Sequence, residues 1–242
     1  MSDATLPDLQ RALDRRAHAG QPIRFWLRDD DAVTTTPALE HLLQLSGAHG
    51  VALTLAVIPA FSDTLLAARV RGVTGVSIAV HGWSHHNHAP ATEKKQELGA
   101  HRPAEVVLDQ LAQGRADLRA RHGDQLVDVL VPPWNRIAPG VVAGLGALGF
   151  RGLSVFGAEQ PDSALPQINT HVDVIDWRGT RGGRPEAALL AEIIARVEQG
   201  LDIGVLTHHL VHDAAVWRFL ERLFTATAPH PGATWVGLPV LL

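Results

Sequence analysis

The chain has 242 residues, 46% of them hydrophobic, with a formal net charge of -4 and no cysteine. It is long enough for a substantial core, while disulfide frameworks, thiolate metal sites and cysteine nucleophiles are excluded, and so is the strongly basic field that a nucleic-acid partner requires. The opening "MSDATLPDLQRALDRRAHAG" carries acids and arginines where a signal peptide needs an apolar core, and no run approaches the roughly 18 apolar residues of a membrane span, so a cytoplasmic location is the default expectation.

In chain order, the first strand is expected at "IRFWLRD" (23–29), followed by a helix over 36–49 and a strand at "VALTLAV" (51–57). A helix over 62–71 leads to "VSIAV" (76–80), and one over 103–121 to "LVDVLV" (126–131). After a helix at 139–149 come "RGLSV" (151–155) and "HVDVID" (171–176), then a helix at 185–199, the strand "IGVLTHH" (203–209) and a helix at 213–227. The strands are apolar almost throughout, which predicts burial on both faces and hence a parallel sheet with helices around it. No linker, repeat or low-complexity tract interrupts the alternation, so residues 1–242 read as a single α/β domain, and seven strand-helix units favour a barrel.

Polar clusters sit at the strand ends: "DDD" (29–31), "HGWSHH" (81–86), "PPWNR" (132–136), "DWRG" (176–179) and "THHLVHD" (207–213). In a parallel α/β barrel the loops after the strands share one face, so these clusters are expected to form one site. His81 and His85 are four apart, a spacing that lets two imidazoles take one ion from a helical turn or tight loop. Three consecutive carboxylates repel one another unless solvent, a capping role or a cation compensates. One aspartate with two histidines gives three protein ligands and an open position, the arrangement a hydrolytic metal site needs for its water. The acids leave two registers open, with base and ligand at Asp29 and Asp30 or at Asp30 and Asp31.

These clusters, in this order, resemble the motifs of the polysaccharide deacetylases of carbohydrate esterase family four. That family has Asp-Asp after the first strand, His-x-x-x-His after the third, an Arg-x-Pro-aromatic loop, an Asp-Trp segment and a late Leu-x-His. The counterparts are Asp29-Asp30, His81 with His85, "VPPW" (131–134), Asp176-Trp177 and Leu206-Thr207-His208, spanning residues 23–212. The resemblance implies a distorted (β/α) barrel of about seven parallel strands that removes an acetyl group from an amide nitrogen of an N-acetylated sugar or related small substrate. It further implies a divalent metal, zinc, held by Asp30, His81 and His85, with Asp29 as general base and His208 as general acid oriented by Asp176. The Trp134 N–H would steady the oxyanion, and Leu206 and Trp177 would wall the acetyl pocket. Apart from the resemblance, Asn135 and Arg136 are candidates either to contact substrate or to serve as plain loop residues.

The chain departs from that pattern at two places: Asp31 stands where the family has glycine, and Val131 where it has arginine. Arg28, Arg136 and Arg178 are the candidates to replace the arginine. A barrel that binds metal or carbohydrate without turnover is the alternative function, as is hydrolysis of a non-sugar C–N bond. His86 and His88 are expected to be bystanders, and residues 92–103 a mobile lid or a plain exposed connection.

Overall fold

A computed structural model describes residues 3–242. Among the described residues there are eight strands: β1 (Ile23–Ala32), β2 (Leu53–Val57), β3 (Val76–His81), β4 (Leu126–Val131), β5 (Gly152–Leu153), β6 (Val172–Asp173), β7 (Ile203–Thr207) and β8 (Ala233–Trp235). The helices are α1 (Leu6–His18), α2 (Pro37–Ala48), α3 (Thr64–Val70), α4 (Ala104–His122), α5 (Pro139–Leu145), α6 (Glu186–Gln199), α7 (Ala214–Thr227) and α8 (Leu238–Leu241). All seven expected strands and six expected helices are there, while α1, β8 and α8 are additions. The strands expected at 151–155 and 171–176 are reduced to two residues each. In the second of these the Asp173 carboxylate takes the Ile175 N–H at 2.9 Å, which removes that donor from a ladder.

The described chain forms two compact units, each assembled from separated segments: residues 3–29, 36–53 and 170–237 in one, and 30–35, 54–169 and 238–242 in the other. The backbone leaves the first unit between Asp29 and Asp30, so β1 gives residues to both.

In the first unit β1 pairs in parallel with β7, Phe25 to Asp29 lying opposite Ile203 to Thr207, and its first three residues pair with β8. β6 lies on the other side of β7, also parallel. β7 is buried along its whole length, as the unbroken apolar run predicts for a strand covered on both faces. Capping sets the helix starts. The Asp213 carboxylate accepts from Ala215 and Val216 N–H groups, both at 2.9 Å, at the head of α7, and the Thr36 hydroxyl accepts from Leu39 N–H at the head of α2. Leu9, Ala12 and Leu13 form the buried stripe of α1, which packs against α6 and α7.

Gly232 shows how tightly the turn before β8 meets α1. A Cβ there would lie 2.0 Å from the Leu13 carbonyl oxygen, a backbone atom that no rotamer change can move aside. Gly232→Ala is expected to cost about 1–3 kcal/mol through overpacking, read as a lower urea midpoint.

In the second unit β4 is flanked by β3 and β5, all parallel. α4 packs against α5 and against β3 and β4. Its buried positions are Val107, Leu111, Gly114, Leu118 and His122, a spacing of three and four that keeps them on one stripe.

Candidate metal centre

The second unit brings together Asp31 from the end of β1, His81 from the last position of β3 and His85 from the loop that follows. One ligand-type atom from each lies within 4.8 Å of the others. The Asp31 Oδ1 atom is 3.1 Å from His81 Nε2 and 3.4 Å from His85 Nε2. Bonds of about 2.1 Å in tetrahedral geometry put ligand atoms about 3.4 Å apart, so these separations match a zinc-sized ion.

The hydrogen bonding of His81 fits the same donor set. Its Nδ1 lies 2.9 Å from the Val131 carbonyl oxygen, and a carbonyl can only accept, so Nδ1 carries the proton and Nε2 of the neutral ring presents a lone pair. That lone pair faces a carboxylate oxygen. Two acceptors at 3.1 Å require a cation between them, either a proton or a metal ion. Burial works against charging the His81 ring, but Asp30, Asp31 and the Val131 carbonyl outweigh it and raise its pKa. Burial, followed by the charge of His81, lowers that of His85. The neutral imidazole so favoured at His85 is the form that binds metal.

The carboxylates divide differently from the Asp29-Asp30 register. Asp31, not Asp30, joins the two histidines, and the cause is backbone geometry: Asp31 has φ +72, which breaks the side-to-side alternation of β1. Asp30 is buried, and its charge acts on His81. Asp29 lies in the first unit with 0% exposure. Its Oδ2 accepts from the Thr207 hydroxyl at 2.7 Å and the His209 N–H at 2.8 Å, while its Oδ1 meets His209 Nδ1. So enclosed, Asp29 ties β1 to the end of β7, a duty that the alternating pattern alone does not reveal.

Other expected site residues of the first unit are placed as follows. Asp176 accepts from the N–H groups of Gly179 (3.0 Å) and Thr180 (3.2 Å), so its carboxylate shapes a turn rather than standing ready for a histidine. Trp177 is exposed, donates its indole N–H to Asp173 at 2.8 Å and meets the His208 ring edge-on at 4.7 Å. Leu206 is fully buried within β7. The backbone N–H of His208 donates to His212 Nε2 at 3.3 Å, and burial lowers the pKa of His212 to about 4.

In the second unit the Trp134 ring packs on His85 with centroids 4.3 Å apart. Trp134 and Asn135 both take left-handed backbone, with φ +55 and +57, a cost tolerated where the surroundings impose it. At the position where the family has arginine, Val131 contributes its carbonyl, which accepts from both His81 Nδ1 and Gly82 N–H. Among the candidate replacements, Arg136 donates to the Lys95 carbonyl at 3.0 Å and Arg28 is fully buried in β1.

His86 and His88 are exposed, as expected of bystanders. The segment 92–103 is neither a free lid nor a plain exposed connection, because Glu97 and Leu98 within it are each 1% exposed. Glu97 accepts from Trp83 N–H, Ser84 N–H and the Ser84 hydroxyl at 3.2, 2.7 and 3.1 Å. Sequence reasoning missed this buried acid beside the His85 loop; "QEL", an acid beside an apolar residue in a charged stretch, is its only signal.

No protein-family model matches the chain, and no curated protein matches it. Solved structures do. A protein of Mycobacterium smegmatis described as a polysaccharide deacetylase is 18% identical, with a TM-score of 0.65, over 92% of this chain and 89% of its own. A mutant of BA3943, a carbohydrate esterase family four pseudoenzyme of Bacillus anthracis with restored activity, is 18% identical at TM-score 0.63, over 91% and 67%. A family four acetyl xylan esterase of Clostridium thermocellum in complex with cobalt is 17% identical at TM-score 0.57, over 90% and 89%. These likenesses show the fold: the chain has the distorted α/β barrel of the polysaccharide deacetylases, as its motifs led us to expect. No described helix is long and apolar enough to cross a membrane.

Proposed function

We propose that this chain, acting as one domain over 1–242, is a metal-dependent deacetylase that hydrolyses the amide of an N-acetylated sugar or a related small substrate. The observation that carries this reading is the convergence of His81 Nε2 and His85 Nε2 on one oxygen of Asp31. Zinc suits two imidazoles and a carboxylate, and the acetyl xylan esterase relative, of similar fold, was solved in complex with a cobalt ion.

Held by Asp31, His81 and His85, a divalent ion would supply Lewis acidity toward the acyl oxygen and the attacking water. Asp30 is the general base in this proposal, because Asp31 is taken as a ligand and Asp29 is enclosed with His209. It accepts the proton that the attacking water gives up. His208, in Leu206-Thr207-His208, protonates the departing amine nitrogen, a role that rests on the family resemblance. Trp134 N–H donates to the developing oxyanion, Asn135 and Trp177 touch the substrate, and Leu206 backs the acyl pocket. Asp176 acts by holding the turn after Trp177, in place of the orienting role expected for it.

A second reading is a binding protein without turnover. It is favoured by Val131 at the arginine position and by the pseudoenzyme among the structural relatives. Incubation of zinc-loaded protein with N-acetylglucosamine oligomers, with acetate release as the readout, separates the two. The deacetylase reading expects release that Asp30→Asn lowers by about 10²–10⁴-fold, the usual weight of a general base. Zinc binding without acetate release from these or other N-acetylated substrates supports the binding protein.

A further inference from the structure

We propose that Glu97 is the positioning residue of the His85 loop, and that its carboxylate sets how tightly this site holds a divalent ion. The inference rests on the metal reading above and extends it to a residue outside the family motifs.

The loop 82–85 folds around that carboxylate. Trp83 and Ser84, the two residues before His85, direct both backbone N–H groups and the Ser84 hydroxyl at the two Glu97 oxygens. Gly82 makes this approach possible. It has φ +58, and a Cβ on it would lie 2.1 Å from Glu97 Oε2 and 2.6 Å from Pro133 Cγ. His85 is itself left-handed at φ +54, a conformation strained for a non-glycine residue. Hydrogen bonds to an ionised acceptor are about twice as strong as neutral ones, so the three donors offset that strain and fix the turn from which the His85 ring reaches Asp31.

Glu97 is anchored in turn. Arg102 donates to its backbone carbonyl at 3.1 Å, the neighbouring Gln96 N–H donates to the Asn87 side chain at 2.9 Å, and the Leu98 carbonyl accepts from Ala138 N–H at 2.8 Å. A carboxylate so enclosed has little freedom to leave the loop. Outer partners that orient metal ligands typically carry 10–100-fold in affinity, and about that factor is expected here.

The test is a Co2+ titration of the metal-stripped full chain, followed by the visible d–d spectrum, for wild type, Glu97→Ala, Glu97→Gln and His85→Ala. Thermal melts check folding. Glu97→Ala is expected to bind Co2+ about 10–100-fold more weakly, with a spectrum shifted to that of His85→Ala, because the histidine is no longer presented. Glu97→Gln keeps one acceptor atom for Ser84 and is expected to fall between, with the wild-type spectrum; it decides the matter should the alanine variant not fold. Wild-type affinity and spectrum in both Glu97 variants would overturn the inference and leave the metal site standing. Absence of Co2+ binding by the wild type would overturn the metal reading and this inference together.

Discussion

Replacing Asp31 with alanine is expected to abolish divalent-metal binding, whereas Asp30→Asn is expected to leave binding in place and remove turnover. The expectation follows from the left-handed backbone at Asp31, which turns its carboxylate to His81 and His85. With Asp31 gone the two imidazoles lose the only anionic member of the set, and the drop should exceed the 10–100-fold typical of an outer partner. His81→Ala should behave like Asp31→Ala, since its Nε2 is the nitrogen that Val131 orients through Nδ1. Zinc content by elemental analysis, paired with acetate release, separates ligand from base. Equal metal loss in Asp30→Asn and retention in Asp31→Ala would restore the register one residue earlier.

Asp29→Ala is expected to be among the most destabilising single changes, at about 3–5 kcal/mol, because removing one partner of a buried charged pair leaves the other without compensation. Asp29 and His209 are both essentially inaccessible, and Thr207 and the His209 backbone complete the enclosure. The pH dependence has a definite sign. Burial raises the Asp29 pKa, but the charge and hydrogen bond of His209, then His212 and Thr207, outweigh it, so the group titrates below its ordinary value of 3.8. A carboxylate depressed on folding adds stability that is fully present above its unfolded pKa and is lost as pH falls through the folded one. The Asp29 contribution to the urea-melt difference between wild type and Asp29→Ala should therefore shrink as pH falls below about 4. A variant as stable as wild type but inactive would instead make Asp29 a base.

How much of this was legible beforehand depends on which physical signal each residue carries. Burial on both faces makes a parallel strand a continuous apolar run, so "VSIAV" and "LVDVLV" could be read directly as β3 and β4. The four-residue spacing of His81 and His85 likewise named both imidazoles. What one-dimensional pattern cannot carry is a local φ. Three adjacent aspartates look equivalent until one leaves extended geometry, as Asp31 does where it meets His81 and His85. Long-range pairing was hidden too. Glu97 is 13 residues from Ser84 and Asp29 is 180 from His209, and an acid in a charged stretch or a strand end gives no sign of a partner that distant. Helix α1 escaped because its stripe of Leu9, Ala12 and Leu13 lies among arginines and acids. Its register shows only once a neighbouring surface is known.

On this reading one cation sits between Asp31, His81 and His85. The most direct measurement is anomalous diffraction at the zinc edge from crystals of the zinc-loaded chain. The predicted result is a single strong peak about 2.0–2.2 Å from Asp31 Oδ1, His81 Nε2 and His85 Nε2. A peak coordinated by Asp30 or Asp29 in place of Asp31, or no peak between the two histidines, would contradict it.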